Sequence, residues 1–226
     1  MKRLLLVCFP VCLALVAGAE KASDADKELA AALEKTAALE SYQLKIEGRT
    51  AQDTVEATYQ KNQPISFKAE KIEFFKKGDV LAYKDGEEWK RSKTGVQSDP
   101  LRILSAAAKV RSARLAHEEA AILAKALKDA GKLDKKENGL TVYSADLTEE
   151  GAKKLAPTES QNVAKGGKAT LWVDKDGVVV KYSISIRLQG RQGNAEVNGT
   201  SEKTVTLSEV GKAKIEMPEG AKRALE

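Results

Sequence analysis

Residue types that make and break bonds are scarce in this 226-residue chain. One histidine, His117, and two cysteines, Cys8 and Cys12, are the whole stock of imidazole and thiol. Both cysteines fall in an N-terminal stretch that reads as a removable leader, so multi-histidine and histidine–cysteine metal centres lack a ligand set. A Ser-His-Asp triad would have to run through His117. Glu118 and Glu119 follow it in a helical stretch, which predicts a solvated place on a helix surface instead. No catalytic residue, metal ligand or cofactor is assigned, and the expectation is a protein that is not an enzyme.

Other motifs reduce to local structure. Asp174-Lys175-Asp176-Gly177 opens like a calcium loop, but its glycine comes too early and the place of the bidentate glutamate falls in a strand; a hairpin turn accounts for it better. Gly166-Gly167, flanked by Lys165 and Lys168, lacks the phosphate-loop spacing and reads as a flexible approach to the strand at Ala169. Asn198-Gly199-Thr200 matches a glycosylation sequon, which matters only in a eukaryotic secretory route. Arg102, Lys109, Arg111, Arg114, Lys125 and Lys128 give one helical region a basic bias, suited to a solvated face or to anionic headgroups.

The leader begins with Met1-Lys2-Arg3, continues through an apolar run over residues 4–16 and ends in Ala17-Gly18-Ala19, the three parts of a secretory signal. The run is shorter than the roughly 20 residues a membrane-crossing helix needs. Residues 1–19 are therefore expected to be cleaved, leaving a single domain over 20–226, free in the periplasm or cell envelope. Neither cysteine follows the Leu-small-small pattern of a lipid-anchor site. Cleavage removes Lys2 and Arg3, leaving 36 Lys and Arg against 33 Asp and Glu. That balance argues against nucleic acid as a partner.

The elements follow from periodicity. Leu29, Leu33, Ala37 and Leu39 predict an amphipathic helix over 24–40, capped by Ser23 or Asp24. Tyr42, Leu44 and Ile46, then Val55, Ala57 and Tyr59, alternate with polar residues as half-buried strands do. In 65–76 the apolar parity flips, which predicts a bulge or break near 70–72. Asp85-Gly86 joins two short strands. Asp99-Pro100 opens a helical region over 101–130, broken near 116–118 and ended by Gly131, with residues 132–139 a charged connection. A strand over 140–147 and a short helix started by Thr148 come next. Ala169, Leu171 and Val173 lead through the Asp176-Gly177 turn into a long strand with Val178, Val180, Tyr182, Ile184, Ile186 and Leu188 on its dry face; residues 195–207 are its partner, and a short helix ends the chain.

These elements imply an α+β fold: a single strongly curved antiparallel sheet of about eight strands, an incomplete β-barrel whose apolar concave face the helices cover. The Tyr83-Lys84-Asp85-Gly86-Glu87-Glu88-Trp89 hairpin, the insertion opening at Asp99-Pro100-Leu101, the run from Ala169 to Asp174, Val180-Lys181-Tyr182-Ser183-Ile184, Val210-Gly211 and Ile215-Glu216-Met217-Pro218 carry a resemblance. The chain resembles the LolA/LolB and LppX/LprG-like superfamily of exported lipid and lipoprotein carriers. The resemblance implies an apolar cavity that receives acyl chains and transfers no defined functional residue. The long insertion and the lack of an anchor cysteine depart from many relatives.

Two functions fit. In a carrier, Leu44, Ile46, Phe67, Phe74, Trp89, Val180, Tyr182, Ile184 and Ile186 line or border the cavity and Leu101, Leu104, Ile122 and Leu127 form its lid. The partners are then the acyl chains of a lipid or lipoprotein, with transient membrane or envelope-protein contact. In an assembly or protein-interaction module the same residues are a closed core, because periodicity does not distinguish a packed interior from a greasy cavity.

Overall fold

Ser23 caps the first helix. Its hydroxyl accepts the Asp26 N–H while the Asp26 carboxylate accepts the Ser23 N–H, which starts α1 (Asp24–Ala37) with two orphan amides satisfied. The computed structural model describes residues 23–48, 50, 53–93, 101–156, 162–192 and 195–226. The leader over 1–19 and the Asp99-Pro100 cap lie outside the described residues.

From α1 the chain runs through β1 (Ser41–Glu47), β2 (Val55–Gln60), β3 (Ile65–Ala69), β4 (Ile72–Lys77), β5 (Val80–Asp85) and β6 (Glu88–Lys93). It then crosses by α2 (Leu101–Ser112) and α3 (Ala116–Ala126) to β7 (Leu127–Glu137). The return passes through β8 (Leu140–Leu147), α4 (Glu149–Leu155), β9 (Val163–Val173), β10 (Val179–Gln192) and β11 (Ala195–Ser208) to α5 (Glu219–Leu225). The strand order is β6-β5-β4-β3-β2-β1-β11-β10-β9-β8-β7, every pairing antiparallel. Two meanders therefore meet at the β1–β11 seam. Since the first ends on one edge and the second begins on the other, the chain must cross the whole sheet, and α2–α3 is that crossing. The result is an open antiparallel sheet of the incomplete-barrel kind.

The crossing lies over the dry face. Tyr42, Leu44, Phe67, Phe74, Leu171, Tyr182 and Ile184 share one buried cluster with Leu29 and Leu33 of α1, Ile103 and Val110 of α2, Leu123 of α3 and Leu155 of α4. Ala106, Ala107, Ala116 and Ala120, each at most 1% exposed, bring the crossing helices close to the strands. α1 is tied down by polar contacts as well. Thr36 Oγ1 accepts the Val179 N–H at 2.9 Å, Asp26 accepts the Ala130 N–H at 2.9 Å, and Tyr143 donates to Glu28 at 2.6 Å. Burial, and then that carboxylate, push the Tyr143 phenol up to about 12. On the opposite face α5 covers a smaller cluster of Phe75, Ala82, Ala221 and Leu225.

Several local expectations are corrected. The sheet has eleven strands among the described residues, more than the expected eight or so. The parity flip near 70–72 is a hairpin: Glu70 and Lys71 both take positive φ, 51° and 66°. Such a turn favours Asn and Gly, so Glu-Lys gave no turn signal. The helix stops at Ala126, and 127–137 is an edge strand where a helix end and a charged connection were expected. Its two register shifts and its lysines erase any period of two. Gly166-Gly167 lies inside β9; a Cβ on Gly167 would sit 2.1 Å from the Ser185 carbonyl oxygen of β10.

That close approach makes a direct test. Gly167→Ala should cost about 2 kcal/mol in urea unfolding because the obstacle is backbone. Gly199→Ala in β11, where a Cβ meets nothing within 4 Å, should stay within about 0.5 kcal/mol of the parent.

Candidate functional site

Where β10 and β11 pass beneath α3, three polar side chains interrupt the dry face. Tyr182 on β10 and Lys203 on β11 point to the helix side because they share parity with Ile184 and Val205. Glu119 of α3 descends to meet them. Its Oε2 accepts the Tyr182 hydroxyl at 2.8 Å, and its Oε1 pairs with Lys203 Nζ. Glu119 is 1% exposed, Tyr182 likewise, and the Lys203 side chain 25%. Desolvation, with the carboxylate beside it, drives the Tyr182 phenol well above its ordinary value, so it stays a hydrogen-bond donor.

Two residues earlier His117 makes a second anchor. Its backbone N–H donates to the Tyr42 hydroxyl at 3.3 Å, and that hydroxyl lies 2.7 Å from Nδ1. The ring also packs on Tyr59, centroids 4.4 Å apart. Burial lowers the His117 pKa below 6.5, with Glu118 opposing. His117 is thus half-buried, and Glu119 fully so, where a solvated helix surface was expected.

α2 is held at its margin instead. Glu70, in the β3–β4 turn, accepts Lys109 Nζ at 2.7 Å and Ser105 Oγ at 2.9 Å. Between these anchors a cleft of about 330 Å³ remains open. Ile46, Val55, Ile184 and Ile186 of the sheet, Ala113 after α2, and Leu155 and Ala156 at the end of α4 give it an apolar wall. Lys109, Arg114, Glu119, Lys203, Asp53, Ser112 and Ser201 supply its polar groups. The volume falls within the range of small-ligand sites. An apolar wall beside charged groups suits an amphiphile.

The sequence-derived positions divide. Leu44, Phe67, Phe74, Tyr182, Ile184 and Ile186 are buried on the dry face; Ile46, Ile122 and Leu127 pack partly buried against the same core. Of these, Ile46, Ile184 and Ile186 reach the cleft. Three expectations fail. Trp89 lies on the other face against Phe75 and α5, because a strand alternates faces and Phe75, Ala82 and Trp89 share the outward parity. Val180 falls at a register shift, so Val179 takes the buried place. Leu101 stands 86% exposed at the start of α2, and Ile103 is the residue that turns inward, with Leu104 only half-buried. The reading missed Glu119 and Lys203, and named Arg114 only within a basic run. A signal existed for the first: Leu115, Glu119 and Leu123 are four apart, which puts the acid on the buried stripe.

No protein-family model matches the sequence, and no curated protein does. Solved structures do. Lipoprotein LppX of Mycobacterium tuberculosis superposes with a TM-score of 0.51 at 16% identity, over 84% of this chain and 97% of that one. LprF from Mycobacterium bovis gives 0.56 at 14% identity, over 87% and 97%. This chain has the LppX fold. The incomplete-barrel fold read from the hairpin and strand motifs stands. In this LppX-like fold the crossing helices and the sheet they cover make the cleft. No helix among the described residues is long and apolar enough to cross a membrane.

Lys203→Met leaves the Glu119 carboxylate buried without its cation and should cost about 3 kcal/mol in urea unfolding. Adding Glu119→Leu should recover most of that, since the pair is then replaced by apolar groups. His117 gives a pH signature. Its folded-state pKa is depressed, so its contribution is full above about 6.5 and drains as pH falls through the folded value. The lowered carboxylates Asp26, Glu28 and Glu70 titrate below 4.5. Between pH 7.5 and 5.5 the parent should therefore lose more stability than His117→Gln.

Proposed function

We propose that this protein is a non-enzymatic carrier that takes acyl chains of a lipid or lipoprotein into the cleft between α2–α4 and the β10–β11 face. The leader would export it to the periplasm or cell envelope, where loading and delivery bring transient contact with a membrane or an envelope protein. The observation that carries this reading is the cleft itself. It lies on the dry face, its apolar wall of Ile46, Val55, Leu155, Ile184 and Ile186 continues into the core, and charged side chains share its lining. The fold shared with lipoprotein LppX supports it.

Binding would draw on burial of hydrocarbon, about 0.8 kcal/mol per methylene removed from water. A longer chain needs more room than the cleft offers, so α2 must lift. It is the helix best placed to do so, because its ties to Glu70 lie at the margin whereas α3 is fixed through buried groups. As α2 moved, Leu44, Phe67 and Phe74 would become the inner wall, with Tyr182, Ile184 and Ile186 beside them. Leu104, Ile122 and Leu127 would border the opening.

A second reading has its own support. The buried alanines of α2 and α3 leave most of the concave face filled, as an interaction module with a closed core would have it. One experiment separates the two. A fluorescent fatty acid should bind the parent and gain quantum yield, and Ala156→Trp, which fills the half-buried cleft wall, should weaken binding at least tenfold with little change in melting temperature. Absence of uptake by the parent would favour the closed module.

A further inference from the structure

The carrier reading leaves one charge of the cleft without a counterpart. Of its three cations, Lys109 is paired with Glu70 and Lys203 with Glu119. Arg114, half-buried in the connection between α2 and α3, lines the cleft and makes no hydrogen bond or ion pair with any described residue. The carboxylates that share the lining do not answer it. Asp53 accepts the Thr50 N–H and hydroxyl, at 3.1 and 2.7 Å. Glu119 is held by Tyr182 and Lys203. Glu202 pairs across from Ser185, between the inward positions Ser201 and Lys203, so its side chain belongs to the other face, where it is exposed.

A guanidinium cannot shed its charge, and half-burial beside aliphatic residues costs it hydration that no protein group returns. Its planar fork of N–H donors matches two oxygens of a carboxylate or phosphate. Ser201, in the same lining, adds a hydroxyl donor. The cleft thus pairs an apolar wall with one unanswered cation near its mouth, the complement of a hydrocarbon chain ending in an anion. We propose that Arg114 anchors the anionic headgroup, carboxylate or phosphate, of the acyl ligand. This deepens the carrier reading and rests on it.

The test compares ligands that share a chain and differ in charge. Parinaric acid and its methyl ester are titrated into the parent, Arg114→Gln and Arg114→Lys, each checked for folding by its melting curve. The parent should bind the acid at least tenfold more tightly than the ester, Arg114→Gln should erase the preference, and Arg114→Lys should keep part of it, since charge survives without the fork. Displacement of the bound probe by phosphatidylglycerol but not by diacylglycerol would name phosphate as the anion, and displacement by free fatty acid alone would name carboxylate. Equal affinity of the parent for acid and ester, or a preference that survives in Arg114→Gln, overturns the anchor and leaves the carrier standing. Failure of the parent to bind either overturns both.

Discussion

Everything above the sheet depends on how a helix is fastened across it. α3 sits over the β1–β11–β10 centre, where the two meanders join, and Glu119 reaches from it to Tyr182 and Lys203 on adjacent strands. A carboxylate this deeply buried is tolerable only with its partners in place. The same requirement fixes the height and rotation of α3, and the Tyr42–His117 contact repeats the constraint two residues earlier. Apolar packing alone would let a helix with so many alanines slide; directional polar contacts do not.

With α3 pinned, the rest of the concave side follows from size and charge. Alanines let α2 and α3 approach the strands closely, and a cleft stays open where α3, α4 and the α2–α3 connection diverge. α2 is tied to the β3–β4 turn through Lys109 and Ser105 and to β6 through Arg111 and Ser92. The two crossing helices thus differ in how they are fastened, and that difference rests on where the charges lie.

The architecture was largely legible in the sequence. The alternation in 42–46, 55–59, 169–173 and 180–188, together with Asp85-Gly86 and Thr148, announced strands, a hairpin and a helix start because one face is dry and the turn residues are apt. What escaped had weak local chemistry. Glu70-Lys71 is a poor match to its turn, and β7 is an edge strand with no uniformly buried face. The site was less legible than the fold. Ile46, Ile184 and Ile186 were named for the cleft, but Trp89 went to the other face, Val180 to a register shift and Leu101 to solvent, none of which periodicity reports. Glu119 and Lys203 were not named for the site; only their places on a buried stripe and a dry strand face pointed to them, and which charge meets which is decided by pairing across 84 residues of sequence.

The central claim is that the cleft holds hydrocarbon. Native mass spectrometry of the protein purified without detergent tests it most directly, with solvent extraction of the same sample. The account predicts discrete adducts at lipid mass that disappear on extraction and reappear in the organic phase as acyl-containing molecules. A bare mass in the first measurement and no acyl-containing material in the second would contradict it.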